Sequence, residues 1–314
     1  MADLKLGVAG AGVFGSYHAA KIDALADVAL RGVYDTDHAR AAALAGNFSA
    51  PAFTDYEAFL ADLDGVVIAA PAIAHFELGE AALNAGKHVF IEKPVAASAA
   101  AARALATLAN QKNLVLQAGH QERYVCEAIG LFSRKRMPQR IECVRHVPFT
   151  GRCGDVSAVF DLMVHDIDII RRMTGADLLN VSADGHAEKV AAELFLSTGT
   201  LALLNARRSA KASERRMTIV YDDGVIEFDF IRRTLTNTTD AAISSVFDAG
   251  GAPLAVRDPL AFGAELFANG IRRGKTMGVS GEDAAETVDW ARNIEQAAGI
   301  DGANDIDLRK RVRK

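Results

Sequence analysis

The chain has 314 residues, 50% of them hydrophobic and 24% charged, with a formal net charge of −5. That length is enough for two domains with substantial cores, and the acidic balance gives no reason to expect nucleic acid or an anionic membrane as a partner. No apolar run approaches the ~20 residues of a membrane helix. The three cysteines, Cys126, Cys143 and Cys153, form no CxxC pair and no zinc spacing, so reduced thiols, no metal and a cytoplasmic protein are expected.

In chain order, the first expected strand is Leu4–Ala9, which starts too early for a secretory signal to precede it. It leads into Gly10-Ala-Gly12-Val13-Phe14-Gly15, then a helical stretch, then a second strand, Val28–Tyr34, that runs into Asp35. Each glycine has a physical task in a dinucleotide-binding turn. Gly10 allows the tight turn, Gly12 lets the backbone approach a pyrophosphate, and Gly15 lets helix and strand pack closely. The helix N-terminus presents N–H groups and a partial positive charge to phosphate. Asp35 stands twenty residues after Gly15, where a carboxylate accepts hydrogen bonds from a ribose diol and repels a 2′-phosphate, so NAD is the expected cofactor. The alternative is a glycine-rich structural turn.

Further strands are expected at Val66–Ala70, His88–Ile91 and Leu114–Ala118, separated by helices such as Ala74–Ala85 and Ser98–Gln111. This alternation predicts an α/β domain over residues 1–120, a Rossmann fold with a doubly wound parallel sheet. His75 opens one of these helices and is a candidate cofactor contact. His18, His38 and His186 join no constellation and read as surface or capping groups.

The rhythm then changes. A helix is expected at Val125–Arg134, a strand at Ile141–His146 and a periodic helix at Val156–Met173. Strands follow at Val181–Lys189, Ala191–Ser197, Thr200–Ser209, Arg216–Tyr221 and Gly224–Phe230, then helices near Pro259–Arg273 and Gly281–Ala298. Short turns between consecutive strands predict a second α/β domain, residues 121–314, with an open, largely antiparallel sheet.

Two groups of residues carry chemistry. Glu92-Lys93-Pro94 follows the strand His88–Ile91, so a parallel sheet would bring Lys93 to the cofactor crevice, where it can hydrogen-bond a substrate hydroxyl. The alternative is a surface lysine capping a strand. In the helix, Asp161 and His165 lie four apart on one face, with Asp168 three further on, which suits a base and the carboxylate that orients it. A satisfied core histidine and a divalent metal site are the alternatives. Arg123, Arg145 and Arg152 are candidate phosphate contacts. The run 207–216 carries five cations against one acid, which fits phosphate binding or a charged strand edge.

The Gly10–Gly15 turn, the stretch Asn84-Ala-Gly-Lys-His-Val leading to Glu92-Lys93-Pro94, and the Asp161…His165…Asp168 segment resemble, in that order, the Gfo/Idh/MocA family. These are the glucose–fructose oxidoreductase and inositol dehydrogenase relatives. The resemblance implies a Rossmann domain, a second domain whose open sheet serves a homodimer or homotetramer, and a catalytic set of Lys93, Asp161 and His165. It implies cofactor contacts from Gly10, Gly12, Val13, Phe14, Gly15, Asp35, Ala70, Pro71, His75, Glu92 and Lys93. The expected substrate contacts are Asp161 and His165, with Arg123, Arg145 and Arg152 added by their own chemistry as phosphate-binding candidates. Two departures stand out: Ala70-Pro71-Ala72 where many relatives carry Thr-Pro-Asn, and Ser157-Ala158 where many carry glycines. Gly119-His120-Gln-Glu122-Arg123-Tyr resembles the nucleotide-sugar dehydrogenases of the family. The expected reaction is therefore NAD-dependent oxidation of a nucleotide-sugar hydroxyl, at C3 of UDP-N-acetylglucosamine on the route to the 2,3-diamino sugars of lipid A. The alternatives are a dehydrogenase of a free sugar or polyol such as inositol, and a non-catalytic NAD-binding regulator.

Overall fold

The computed structural model describes residues 3–148, 156–244, 247 and 251–300. They pack as two compact units, the chain crossing between them after Gln121, Arg257 and Glu286.

Of the described residues, 3–121 and 258–286 make up the first unit. Its sheet is built from β1 (Leu4–Ala9), β2 (Val28–Tyr34), β3 (Ala52–Phe53), β4 (Gly65–Ile68), β5 (His88–Glu92), β6 (Leu116–Gly119) and β14 (Val279–Ser280). The spatial order is β14-β6-β5-β4-β1-β2-β3, with every pair parallel except β14–β6. This is the doubly wound Rossmann order, which reverses between β1 and β4 and opens a ligand crevice at their carboxyl ends. β4 is buried along its whole length, as a central parallel strand covered on both faces must be. Helices α1 (Val13–Asp23), α2 (His38–Gly46), α3 (Tyr56–Leu60), α4 (His75–Asn84) and α5 (Ala99–Gln111) connect the strands. The Asp37, Asp55 and Ser98 side chains cap α2, α3 and α5 by accepting from first-turn N–H groups. Helix α9 (Pro259–Arg273) returns to this unit, and its Phe267 joins Leu6, Val8, Ile22 and Phe90 in the core.

Of the described residues, those of 122–257 and 287–300 make up the second unit. Its sheet consists of β7 (Arg140–His146), β8 (Leu178–His186), β9 (Lys189–Leu196), β10 (Leu201–Arg207), β11 (Glu214–Tyr221), β12 (Gly224–Asp229) and β13 (Thr234–Asn237). The order is β13-β12-β11-β7-β10-β9-β8, and all pairs are antiparallel except β7–β10. Burial alternates along β9: Val190, Ala192, Leu194 and Leu196 are buried, while Lys189, Ala191, Glu193 and Phe195 face outward. One face of the sheet is thus core and the other is open. Helices α6 (Gln121–Ala128), α7 (Val164–Thr174), α8 (Leu254–Arg257) and α10 (Gly281–Ala297) complete the described elements. The sequence reading runs one continuous helix over Val156–Met173. Instead a π-helical turn at Val159–Met163 precedes α7, and Gly175 ends α7 in the left-handed conformation. Cys126 and Cys143 are buried free thiols, with burial pushing both above the ordinary thiol range. No helix among the described residues is long and apolar enough to cross a membrane.

Candidate active site

The glycine turn sits at the carboxyl end of β1. Gly10 has φ +104°, and a Cβ there would stand 2.7 Å from the Ala69 and Ala70 backbone, so only glycine lets the ends of β1 and β4 approach this closely. A Cβ on Gly15 would meet the Gly10 carbonyl oxygen at 1.8 Å, whereas one on Gly12 would meet nothing within 4 Å. The outer side of the turn is thus open at the position where a pyrophosphate needs room. Among the described residues no side chain caps α1, which leaves its N-terminus to an anion, and Val13 and Phe14 in its first turn are half-exposed. Asp35 accepts from the Ala11 N–H on one oxygen at 2.8 Å and from the Asp37 N–H on the other at 2.9 Å. Those contacts aim the carboxylate beside the turn and leave each oxygen a lone pair for a ribose hydroxyl. These features fit a dinucleotide.

Ala70 and Pro71 follow β4 and border the turn. His75 is buried, with Nδ1 2.7 Å from the Pro94 carbonyl oxygen and Nε2 2.9 Å from that of Ala70. Its ring brackets the segments that follow β4 and β5 from inside the unit. Lys93 follows β5 directly, half-buried, and its peptide bond to Pro94 is cis. Glu92 turns inward. Its carboxylate accepts from His18 Nε2 and Gln121 Nε2, each at 2.7 Å, and from the Lys93 N–H at 3.3 Å. Burial alone would raise the Glu92 carboxyl, but the hydrogen bonds from His18 and Gln121 and the charge of Lys93 hold it below the usual glutamate value. His18, expected at the surface or in a cap, is 1% exposed and faces this carboxylate. Position on a helix says nothing of a partner 74 residues away.

In the second unit, Ser157 prepares the turn that carries Asp161. Its hydroxyl accepts from the Val159 N–H at 3.2 Å and donates to Glu295 at 2.5 Å, a task no glycine could perform. Asp161 lies in the π-helical turn, 3.8 Å from Arg208, and Arg208 also reaches Glu188 at 2.9 Å. His165 stands in the first turn of α7 and is half-buried. Its neighbours along the helix are held by arginines. Arg145 grips Asp166 through Nε at 3.0 Å and Nη2 at 2.7 Å, and Glu122 through Nη1 at 3.0 Å and Nη2 at 2.7 Å. Arg123 forms a fork to both oxygens of Asp168.

Glu122 lies close enough to His165 to feel its charge. Burial would raise the Glu122 carboxyl, but Arg145, His165 and Arg215 outweigh it and hold the group far below the ordinary glutamate range. Asp166 is pushed up by burial, which the guanidinium it shares with Glu122 only partly offsets.

The arginines expected to meet phosphate are therefore placed differently from that expectation. Arg123 and Arg145 are 6% and 2% exposed and spend their forks on carboxylates of their own unit. Arg152 lies outside the described residues. Asp168 is paired with Arg123, and among the described residues no group of three or more His, Cys, Asp or Glu is placed to hold a metal ion.

A family model described as "Oxidoreductase family, NAD-binding Rossmann fold" (GFO_IDH_MocA) matches residues 4–120. UDP-N-acetylglucosamine 3-dehydrogenase of Acidithiobacillus ferrooxidans is 36% identical over 284 residues, 86% of this chain and 90% of that protein. The chain belongs to the Gfo/Idh/MocA family. A solved structure of the A. ferrooxidans enzyme has a TM-score of 0.86 at 32% identity, covering 95% of this chain and 98% of that one. Inositol 2-dehydrogenase of Rhizobium meliloti is 27% identical over 71% of this chain and 74% of that protein.

As a Gfo/Idh/MocA oxidoreductase, the protein is an NAD-dependent dehydrogenase acting on CH–OH groups. Two features beside the expected site residues do not follow from the sequence pattern. One is the inward pair His18–Glu92. The other is the role of Glu122 and Arg123, which anchor α7 through Arg145–Asp166 and through Asp168. The Gly119–Tyr124 signature held the only available signal for the second.

Proposed function

We propose that the protein oxidises a secondary hydroxyl of a nucleotide sugar, C3 of UDP-N-acetylglucosamine, to the 3-keto sugar. The observation that carries this reading is the 36% identity to UDP-N-acetylglucosamine 3-dehydrogenase over 86% of the chain. His165 takes the hydroxyl proton as general base. Asp161, one turn earlier, orients it, and Lys93 hydrogen-bonds the reacting oxygen and stabilises its developing negative charge. Bound NAD supplies the hydride acceptor. The Gly10–Gly15 turn and the N-terminus of α1 take its pyrophosphate and Asp35 its adenosine ribose. The 3-keto product suits a following amination, which would place the enzyme on the route to the 2,3-diamino sugars of lipid A. The open face of the second sheet, where Phe195 is 43% exposed, supports a homo-oligomer, and the reduced thiols expected of its cysteines fit a cytoplasmic location.

Oxidation of a free polyol is the second reading, favoured by the similarity to inositol 2-dehydrogenase. The deciding assay follows NADH formed from NAD with UDP-N-acetylglucosamine, free N-acetylglucosamine or myo-inositol. A carbonyl trap is included and the product identified by mass spectrometry. Turnover with the UDP sugar alone is expected. Turnover with a free sugar or inositol alone would overturn the nucleotide-sugar reading and leave the dehydrogenase.

A further inference from the structure

We infer that His18 and Glu92 form a buried positioning pair that holds Lys93 from beneath and ties it to α1, the helix that opens at the phosphate-facing turn. The inference rests on the reading of Lys93 as a catalytic residue.

His18 lies on the inward side of α1 and is 1% exposed. A carboxylate oxygen can only accept, so the His18 nitrogen 2.7 Å from Glu92 carries the proton. The ring is held edge-on against Phe90 at 5.1 Å, and Phe90 in turn against Phe267 at 5.9 Å. Among the described residues its other nitrogen, which is buried, has no hydrogen-bond partner, so the polar contact recorded for the side chain there is the one to Glu92. Room for that carboxylate is made by Gly119, where a Cβ would stand 2.8–2.9 Å from three Glu92 carboxyl atoms.

A carboxylate this deeply buried costs stability relative to an apolar side chain of similar volume. What the arrangement achieves is geometric. One Glu92 oxygen is fixed by His18 and Gln121, and the other accepts the main-chain N–H of Lys93. The Lys93 backbone is thereby referenced to the helix whose N-terminus faces the cofactor phosphates. A general acid–base or oxyanion-stabilising group displaced by ~1 Å can lose about 10²-fold in rate, so a mount of this kind acts on kcat rather than on cofactor affinity.

The test compares His18→Leu, His18→Gln, Glu92→Gln and Lys93→Ala with wild type, in the full chain, on whichever sugar the wild type oxidises. Steady-state kcat is measured beside NADH affinity from the fluorescence change on binding. His18→Leu and Glu92→Gln are expected to lower kcat roughly 10–100-fold, with NADH affinity within about threefold of wild type. His18→Gln keeps an N–H donor at the same reach and should recover most of the lost kcat. A kcat within about twofold of wild type in His18→Leu, beside inactive Lys93→Ala, would overturn the positioning pair alone. Parallel loss of kcat and NADH affinity would also overturn it, since that marks a general structural role. Full turnover by Lys93→Ala would overturn the reading of Lys93 and this inference with it. If His18→Leu does not fold, Glu92→Gln decides by the same criteria, because the amide keeps the side chain's shape.

Discussion

Glu92 and Glu122 stand near the two expected catalytic groups, Lys93 and His165, and their units hold them in different ways. Glu92 receives three N–H donors: the imidazole of His18, the amide of Gln121 and the main chain of Lys93. Glu122 is held by a guanidinium, and it shares Arg145 with Asp166 while Arg215 stands 3.7 Å away. The first arrangement orients one carboxylate by hydrogen bonds within a Rossmann core. The second locks α6, β7 and α7 together through buried charge. Removing a donor from the first disturbs geometry. Removing the cation from the second leaves uncompensated charges, the costlier defect.

The largest expected effect probes Lys93 and His165, the proposed catalytic groups beside which the two carboxylates stand. Lys93→Ala and His165→Ala should each lower turnover by about 10²–10⁴-fold, while NADH still binds to His165→Ala. Equal turnover in either variant would remove that residue from the catalytic set.

Next comes the contrast between charge lock and hydrogen-bond mount, read from urea unfolding. Arg145→Met should cost ~3–5 kcal/mol, the usual consequence of removing one partner of a buried ion pair. Glu92→Gln should cost only about 1–3 kcal/mol. Equal losses would mean that the two carboxylates are held in the same way.

Asp35→Ala isolates the cofactor side of the first unit. Hydrogen bonds to a charged group contribute ~1.5–3 kcal/mol, so NAD affinity should fall roughly 10–100-fold and the preference against NADP should weaken. Titration calorimetry with both cofactors measures this directly.

The smallest effect is a pH window. Glu122 is held below its ordinary value of 4.5, so its stabilising contribution is fully present above that pH and is lost as pH falls through the lower folded-state value. The stability gap between wild type and Glu122→Gln should be constant near neutrality and shrink below about pH 4.5. A gap that widened in acid would mean that the carboxyl is not held down by Arg145.

The same two regions differ in how far they could be read from the sequence. Around the glycine turn, neighbours in space are neighbours in sequence or sit at strand ends. The order strand, Gly10–Gly15, helix, strand, Asp35 therefore points to a parallel sheet, and the apolar run before Glu92 puts Lys93 at the carboxyl end of a strand. Around His165 helical spacing brings Asp161 and Asp168 to its face but not the charges that other elements pack against them. Arg145 is equally suited to a phosphate or to two carboxylates, and only the folding of β7 beside α6 and α7 made Glu122 and Asp166 its partners.

The sequence by itself determined the Rossmann unit, the largely antiparallel second sheet and the NAD-dependent chemistry. Periodicity, glycine placement and a carboxylate at fixed spacing are local properties that backbone geometry translates directly into structure. Tertiary structure alone decided the inward pairing of His18 with Glu92 and the forks of Arg123 and Arg145. It also decided the π-helical turn under Asp161, the two-residue strand β14 and the return of α9 to the first core. These depend on which distant side chain satisfies a buried polar or charged group. Desolvation settles that choice only once the chain has packed.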